Sequence, residues 1–276
     1  MQIGLYTNIN KDERLQITEQ LVKDLNLLGA SVSIYGEASK LLKTKDAFTQ
    51  KENLEVMIVL GGDGTILGIA DFCASNNIPI LGLNLGRVGF LTGLELGDTY
   101  KLFEILSQKK YSTEKRSMLE IAYNGKKYLA LNEVVVSRVS ASKMIAIAVN
   151  VDGEFVDEFN ADGFIVATPT GSTAYSLSAG GPIIAPSSDC LALTAICPHT
   201  LHARPIVISG NSVVELSSKN DNCDMILDGK SIGVLNKTEL LTIKKSTKQA
   251  SFISPNSLNF FSRLLSKLNK WGITIQ

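Results

Sequence analysis

Residues 54–65 read LEVMIVLGGDGT. The first seven are almost all apolar and do not alternate, the pattern of a strand covered on both faces of a parallel sheet. Glycines and one aspartate stop the run. Residues 65–74 then carry a helical pattern that Asn76 and Asn77 end. Upstream, residues 3–7 read as a strand, and Asn10 with Glu13 resembles a capping box. Leu15, Val22, Leu25 and Leu28 follow at helical spacing, and Gly29 ends that helix. Residues 31–35 form a second short strand, and residues 36–53 are polar, a loop with a helical turn. Downstream, residues 78–83 are a further strand, and residues 98–106 a helix with Asp98 as its N-cap. Strand and helix alternate throughout, so the N-terminal part is expected to be a doubly wound α/β domain.

The rhythm then changes. Asn124-Gly125 separates SMLEIAY from KKYLALNEVVV, and Asp152-Gly153 separates KMIAIAVNV from EFVDEF. Asn-Gly and Asp-Gly are favoured in type I′ hairpin turns, where both central residues take positive φ. Short strands continue to about residue 254. The expected division is an α/β domain over 1–97, a mostly antiparallel β domain over 98–254, and a C-terminal helix over 255–276. In that helix Leu258, Phe261, Leu264, Leu265 and Leu268 form an apolar stripe, expected to pack against the first domain.

Bulk properties narrow the function. Lysine plus arginine (27) balance aspartate plus glutamate (27), so charge gives no argument for nucleic acid or an anionic membrane as partner. Cys73, Cys190, Cys197 and Cys223 form no CxxC pair and sit among apolar neighbours, which reads as buried free thiols in a reducing compartment. No apolar run approaches the roughly 18 residues of a membrane span. The expectation is a cytoplasmic protein.

Three stretches carry chemistry. Gly61-Gly62-Asp63-Gly64-Thr65 lies at the carboxyl end of a buried strand, where open α/β sheets bind ligands. Its glycines let backbone N–H groups approach phosphate oxygens. Asp63 at the tip offers a proton acceptor or a metal ligand; the plainer reading is a tight turn and a helix cap. The second stretch runs from Ala161-Asp162-Gly163 through FIVA into Thr168-Pro169-Thr170-Gly171-Ser172-Thr173-Ala174-Tyr175-Ser176. These hydroxyls fit phosphate or ribose binding, and equally an ordinary Ser/Thr turn. The third is Asn132-Glu133, a polar pair interrupting an apolar strand; burying it costs free energy unless it is paired.

Two patterns lead nowhere. Gly229-Lys230-Ser231 ends like a P-loop, but Asp224 occupies the first glycine position. Gly82, Gly86 and Gly89 do not have the GxGxxG spacing. His199 and His202 have no third ligand nearby in sequence.

The combination resembles the bacterial NAD kinase (ATP–NAD kinase) family. GGDGT at 61–65 is shared with lipid and sphingoid-base kinases. NLGRVGFLT at 84–92, NEVV at 132–135, DGFIVATPTGSTAYSLSAGGPI at 162–183 and CPHTLHARP at 197–205 are more specific, and together they span essentially the whole chain. The resemblance implies transfer of the γ-phosphoryl of ATP to the 2′-hydroxyl of the adenosine ribose of NAD. It implies Asp63 as the base, with Gly61, Gly62, Gly64 and Thr65 around it. Asn132 and Glu133 would take ribose hydroxyls and the adenosine region, and Asp162 the nicotinamide end. Thr173, Ala174, Tyr175, Ser176, Leu177 and Ser178 would line the adenine and pyrophosphate, with Asn84 and Phe90 bordering the adenine pocket. Magnesium would accompany ATP, and the protein would be a homo-oligomer. Two positions depart from the common pattern. Asn160 and Gly68 stand where a basic residue is frequent, and Lys143 offers a point charge to the new phosphate. The competing readings are a lipid or sphingoid-base kinase and a non-catalytic NAD-binding regulator. The first would require a greasy substrate site or a basic membrane-facing helix, and neither is evident.

Overall fold

In a computed structural model the described residues are 1–44, 53–86, 89–92, 94–95, 97–140, 143–200, 202–219, 222–237, 239–254 and 260–270. The chain divides into two compact units, Met1–Lys115 with Ala250–Gln276, and Arg116–Gln249.

The first unit is the expected α/β domain. Strands β1 (Gln2–Thr7), β2 (Ser31–Tyr35), β3 (Val56–Gly61) and β4 (Ile80–Asn84) lie in the order β2-β1-β3-β4, all parallel. A two-residue strand β5 (Leu94–Glu95) pairs with β4. Ile3, Leu5, Val56, Ile58 and Leu60 share one face, where they pack on Leu21 and Leu25 of helix α1 (Gln16–Leu27). Helix α2 (Glu37–Leu41) follows β2, inside the stretch expected to be a loop with a helical turn. The opposite face carries Met57 and Val59, both fully buried. There the helical segment after GGDG is broken. α3 (Asp63–Leu67) and α4 (Ala70–Asn76) replace the single expected helix, and Asn77 in the left-handed region ends the second. Helix α5 (Thr99–Ser107) adds Leu102 and Leu106 to the first face, and the Asp98 side chain accepts the Tyr100 N–H at 2.9 Å as expected. The sequence division had grouped α5 with the β-rich part; in the structure it lies in the first unit.

Strand β6 (Ser112–Tyr123) leads into the second unit, which is mostly antiparallel. β7 (Lys126–Ala130) turns back on β6 through Asn124-Gly125, both at positive φ. Next come β8 (Glu133–Arg138), β9 (Ile145–Val151), β10 (Glu154–Ala161) and β11 (Gly163–Ala167). A short helix α6 (Tyr175–Ser178) precedes β12 (Cys190–Ile196), β13 (Ile206–Ser209), β14 (Val214–Ser218), β15 (Cys223–Leu227), β16 (Lys230–Leu235) and β17 (Leu240–Ser254). One sheet has the order β13-β12-β11-β8-β15-β16; the other contains β10-β9-β14-β17. Val134, Val136, Phe164, Val166, Leu191 and Leu193 of the first meet Ile147, Val149, Phe159, Leu216 and Ile243 of the second. The alternate residues Val135, Ile165, Ala167 and Ala192 are buried with Ile184 on the far face. β8 and β11 are therefore covered on both sides, which explains their unbroken apolar sequence.

KKYLALNEVVV is two strands, not one. β7 stays with β6, and the chain bends at Leu131-Asn132 so that β8 enters the other sheet. Asp162 marks a second such change, between β10 and β11. β17 returns to the first unit, where Phe252 pairs with Ile80. Helix α7 (Phe260–Lys270) follows. Of its apolar stripe, Phe261 and Leu265 are exposed and Leu264 is half-buried, while Leu258 and the Leu268 side chain lie outside the described residues. Of the free cysteines, Cys73 and Cys223 are buried as expected, but Cys197 is exposed and Cys190 only half-buried.

The start of α1 also differs from its sequence reading. Asn10 gives its N–H to Asn8 and caps nothing. A 3₁₀ turn, Glu13–Leu15, intervenes, and the buried Asp12 carboxylate accepts the Ile17 N–H at 2.9 Å and the Thr18 N–H at 2.8 Å. The Thr18 hydroxyl donates to it as well, at 2.5 Å. Asp12→Ala is expected to destabilise the first unit by about 1–2 kcal/mol, read as a lower urea midpoint; an unchanged midpoint would remove this carboxylate from the account of α1.

Candidate functional site

In the first unit the site starts where β3 and β4 end side by side, with Gly61 paired to Asn84. Thr65 organises the loop from inside. Its Oγ1 accepts the Gly62 N–H and the Asn8 side-chain amide, each at 3.2 Å. A Cβ on Gly61 would overlap that hydroxyl group, so the first glycine is required by Thr65. Gly62 precedes the first turn of α3 in extended conformation. Gly64 is exposed, with open space where a Cβ would stand. The Lys11 ammonium lies 3.0 Å from the place of a Gly62 Cβ, bringing a cation to the loop that the sequence reading did not select.

Asp63 does not cap α3. Its carboxylate crosses to the 89–92 turn, taking the Phe90 N–H at 2.8 Å on Oδ2 and the Leu91 N–H at 3.0 Å on Oδ1. The turn is braced by Thr92, whose hydroxyl accepts the Gly89 N–H at 2.7 Å. A Cβ on Gly89 would collide with the Asp63 carboxylate. This glycine was dismissed in sequence for its spacing, and the structure gives it a reason. Arg263 of α7 reaches the Phe90 carbonyl at 3.4 Å. Asn84 is buried; its amide donates to the Gly86 carbonyl at 2.5 Å, while its Oδ1 has no partner among the described residues. Arg87 and Val88 of the 84–92 motif lie outside the described residues. Gly68 faces the Tyr6 hydroxyl, 3.1 Å from the place of a Cβ; burial, then Asp71 and Glu37, push that phenol up.

In the second unit Asn132 and Glu133 stand at the bend between sheets, both buried. The bend is clamped from two sides. The Asn132 carbonyl accepts the Thr168 N–H at 2.8 Å, and a Cβ on Gly171 would overlap it. From the other side Asp228, between β15 and β16, accepts N–H bonds from Leu131, Asn132 and Glu133 at 2.7, 2.8 and 3.1 Å. Asp228-Gly229 is a third turn with both residues at positive φ, missed because its neighbours suggested a P-loop. The Glu133 side chain is buried rather than facing solvent. Its Oε2 has no partner among the described residues, and burial first, then the Asp228 charge, raise its pKa to about 8 against the Tyr175 backbone N–H.

The hydroxyl-rich stretch is largely self-satisfied. Thr168 donates to the Leu131 carbonyl at 2.7 Å, Ser172 to the Pro169 carbonyl at 2.6 Å, and Thr173 to the Thr170 carbonyl at 3.2 Å. Ser176 is fully buried with its hydroxyl 3.2 Å from that of Thr194. Ala174 and Leu177 are half-buried, and Tyr175 and Ser178 exposed. Arg116, also unselected in sequence, lies buried 3.4 Å from the Thr170 hydroxyl. Asp162 pairs with Arg138 at 3.1 Å. Asn160 is exposed and its carbonyl accepts the His199 N–H at 2.8 Å. Lys143 is exposed two residues before Ile145, the partner of Ala161, at the Asp162 end of the β9–β10 ladder. His202 meets Asp157 at 3.4 Å, and among the described residues no cluster of three His, Cys, Asp or Glu is placed to hold a metal.

Comparison with known proteins covers both units. A model of the ATP-NAD kinase N-terminal domain matches residues 3–111, and one of the ATP-NAD kinase C-terminal domain matches residues 131–255. The NAD kinase of Thermoanaerobacter sp. (strain X514) is 38% identical over 285 residues, covering 98% of this chain and 99% of its own. That of Methanothermobacter thermautotrophicus is 35% identical over 278 residues, covering 99% and 98%. Among solved structures, an Archaeoglobus fulgidus NAD kinase in complex with ATP is 29% identical with a TM-score of 0.76, covering 99% of this chain and 100% of that one. Yeast NADH kinase complexed with NADH shares the fold, with a TM-score of 0.89 at 21% identity over 100% of this chain and 89% of that one.

The state of Glu133 has a measurable consequence. In the unfolded chain this carboxyl ionises near the ordinary glutamate value, and in the folded one near pH 8. The folded state therefore holds the extra proton, its contribution to stability is complete at acid pH, and it is lost as pH rises through about 8. Glu133→Gln, which cannot ionise, should gain stability relative to wild type between pH 5 and pH 9, followed by urea midpoints across that range. A constant difference would mean that Glu133 is already ionised in the folded protein at pH 5.

Proposed function

Since the chain belongs to the ATP–NAD kinase family, we propose that it transfers the γ-phosphoryl of ATP to the 2′-hydroxyl of the adenosine ribose of NAD, with Asp63 as the base. The observation that carries the assignment is the Asp63 carboxylate, fixed by two backbone N–H bonds beside an open glycine loop at the carboxyl end of β3. Phosphoryl transfer asks chiefly for positioning and neutralised charge. Gly62 and Gly64 let the polyphosphate approach the backbone, and Lys11 supplies positive charge above them. Each Asp63 oxygen keeps a lone pair after accepting one N–H. A sugar hydroxyl is a weak acid, so its proton passes to that lone pair late, as the O–P bond forms.

On the second unit Asn132 and Glu133 take ribose hydroxyls of the dinucleotide. Asp162, aligned by Arg138, faces the nicotinamide end. Ala174, Tyr175, Leu177 and Ser178 provide the surface for adenine and pyrophosphate, while Thr173 and Ser176 shape it from beneath. Lys143 contacts the new phosphate. Magnesium enters with ATP as part of the substrate, neutralising phosphate oxygens, as suits an ion that takes one or two carboxylates beside them. The working form is a cytoplasmic homo-oligomer, a state that light scattering of the purified protein tests.

Purified protein with NAD, ATP and Mg²⁺ is expected to form NADP. Asp63→Asn should lower kcat by roughly 10²–10⁴-fold while leaving NAD binding in place. Gly89→Ala, which displaces the same carboxylate, should act in the same direction. Near-normal turnover of Asp63→Asn would overturn the base assignment.

A further inference from the structure

We propose that Asp228 is a positioning residue for dinucleotide binding, holding the Asn132–Glu133 pair in the geometry in which it meets its ligand. This rests on the reading of Asn132 and Glu133 as ribose ligands.

Asp228 sits at the tip of the β15–β16 hairpin, at φ 46°. Its two oxygens receive three consecutive backbone N–H groups, Leu131 on Oδ2 and both Asn132 and Glu133 on Oδ1. Its own N–H returns to the Glu133 carbonyl at 3.1 Å. These N–H groups lie where the chain leaves one sheet for another, so no ladder satisfies them. Charge-assisted bonds to a carboxylate are about twice as strong as neutral ones. The bend is thereby fixed without occupying either side chain that it presents.

Asp228 has a second effect on Glu133. Burial does most to raise the Glu133 carboxyl, the negative charge of Asp228 adds to it, and one of its oxygens has no partner among the described residues. The opposing influence is the Tyr175 backbone N–H, and among the described residues no Lys, Arg or His forms an ion pair with Glu133. Near neutral pH Glu133 is thus a carboxylic acid, able to donate one hydrogen bond and accept others. A ribose diol, which both donates and accepts, fits that state.

The experiment is the pH dependence of KM for NAD, with kcat, from pH 6 to 9.5 for wild type, Asp228→Asn and Glu133→Gln. Wild type should show an inflection near 8. Glu133→Gln should lack it. Asp228→Asn keeps the shape but not the charge or the second acceptor. It should raise KM more than it lowers kcat, and move the inflection toward acid by about one unit. Asp228→Glu should bring the inflection back. If Asp228→Asn does not fold, Asp228→Ser, with one acceptor oxygen and no charge, takes its place. An unmoved inflection in the uncharged variants, with Glu133→Gln lacking it, would overturn the role of Asp228 alone. Wild-type KM for Glu133→Gln at every pH would instead overturn the reading of Glu133 as a ligand, and this proposal with it.

Discussion

A carboxylate that accepts two or more backbone N–H bonds can satisfy donors that no helix or sheet ladder reaches, and among the described residues this interaction occurs three times. Asp12 takes the N–H groups of Ile17 and Thr18, Asp63 those of Phe90 and Leu91, and Asp228 those of Leu131, Asn132 and Glu133. The clamped N–H groups lie in the first turn of α1, in the 89–92 turn and at the bend into β8. These donors would otherwise be left unpaired, at a cost of about 1–3 kcal/mol apiece where buried. The strands and helices form because the apolar pattern demands it. The loops that carry polar groups acquire one conformation because an aspartate from elsewhere selects it.

For Asp63 the clamp and the proposed chemistry use different parts of one group. Two N–H bonds fix the plane of the carboxylate and leave a lone pair on each oxygen. Gly89 removes the one atom that would push the carboxylate aside. The side chain is therefore pre-organised by its surroundings, and no ligand binding energy is needed to orient it. The arrangement couples the GGDG loop to the 89–92 turn, so that a change in either is felt at the same carboxylate.

Much of this was legible in sequence where the signal was local. The run 54–60 announced a doubly covered strand, and Asn124-Gly125 and Asp152-Gly153 announced hairpins, because the physics of those features is contained in a few adjacent residues. GGDG at a strand end marked the first half of the candidate site for the same reason. What escaped was set by distance. Asp228 grips residues 95 to 97 positions away, and Asp63 grips residues 27 and 28 away. Neither pairing leaves a trace in composition or periodicity. The bend at Leu131-Asn132 was hidden because the strands on both sides of it are apolar, one in each sheet. Only the polar pair itself breaks the pattern, and its geometry is not readable from it. Asn10 misled because a capping box has a local signature, whereas Asp12 does its work five and six residues ahead across a 3₁₀ turn.

The hydroxyl-rich stretch shows how a strong composition signal divides between structure and ligand. Thr168, Ser172 and Ser176 spend their hydroxyls on the Leu131 carbonyl, the Pro169 carbonyl and Thr194, all within the fold. Thr168 and Gly171 press the same bend that Asp228 holds from the opposite side. The stretch is thus half of a vice whose product is the placement of Asn132 and Glu133. A buried carboxyl with an oxygen left without a partner lowers stability. Local chemistry that contradicts the fold in this way is expected where a ligand completes it. Among the described residues Glu133 keeps one carboxyl oxygen with no partner, and on the function proposed above a dinucleotide hydroxyl placed there would supply that hydrogen bond.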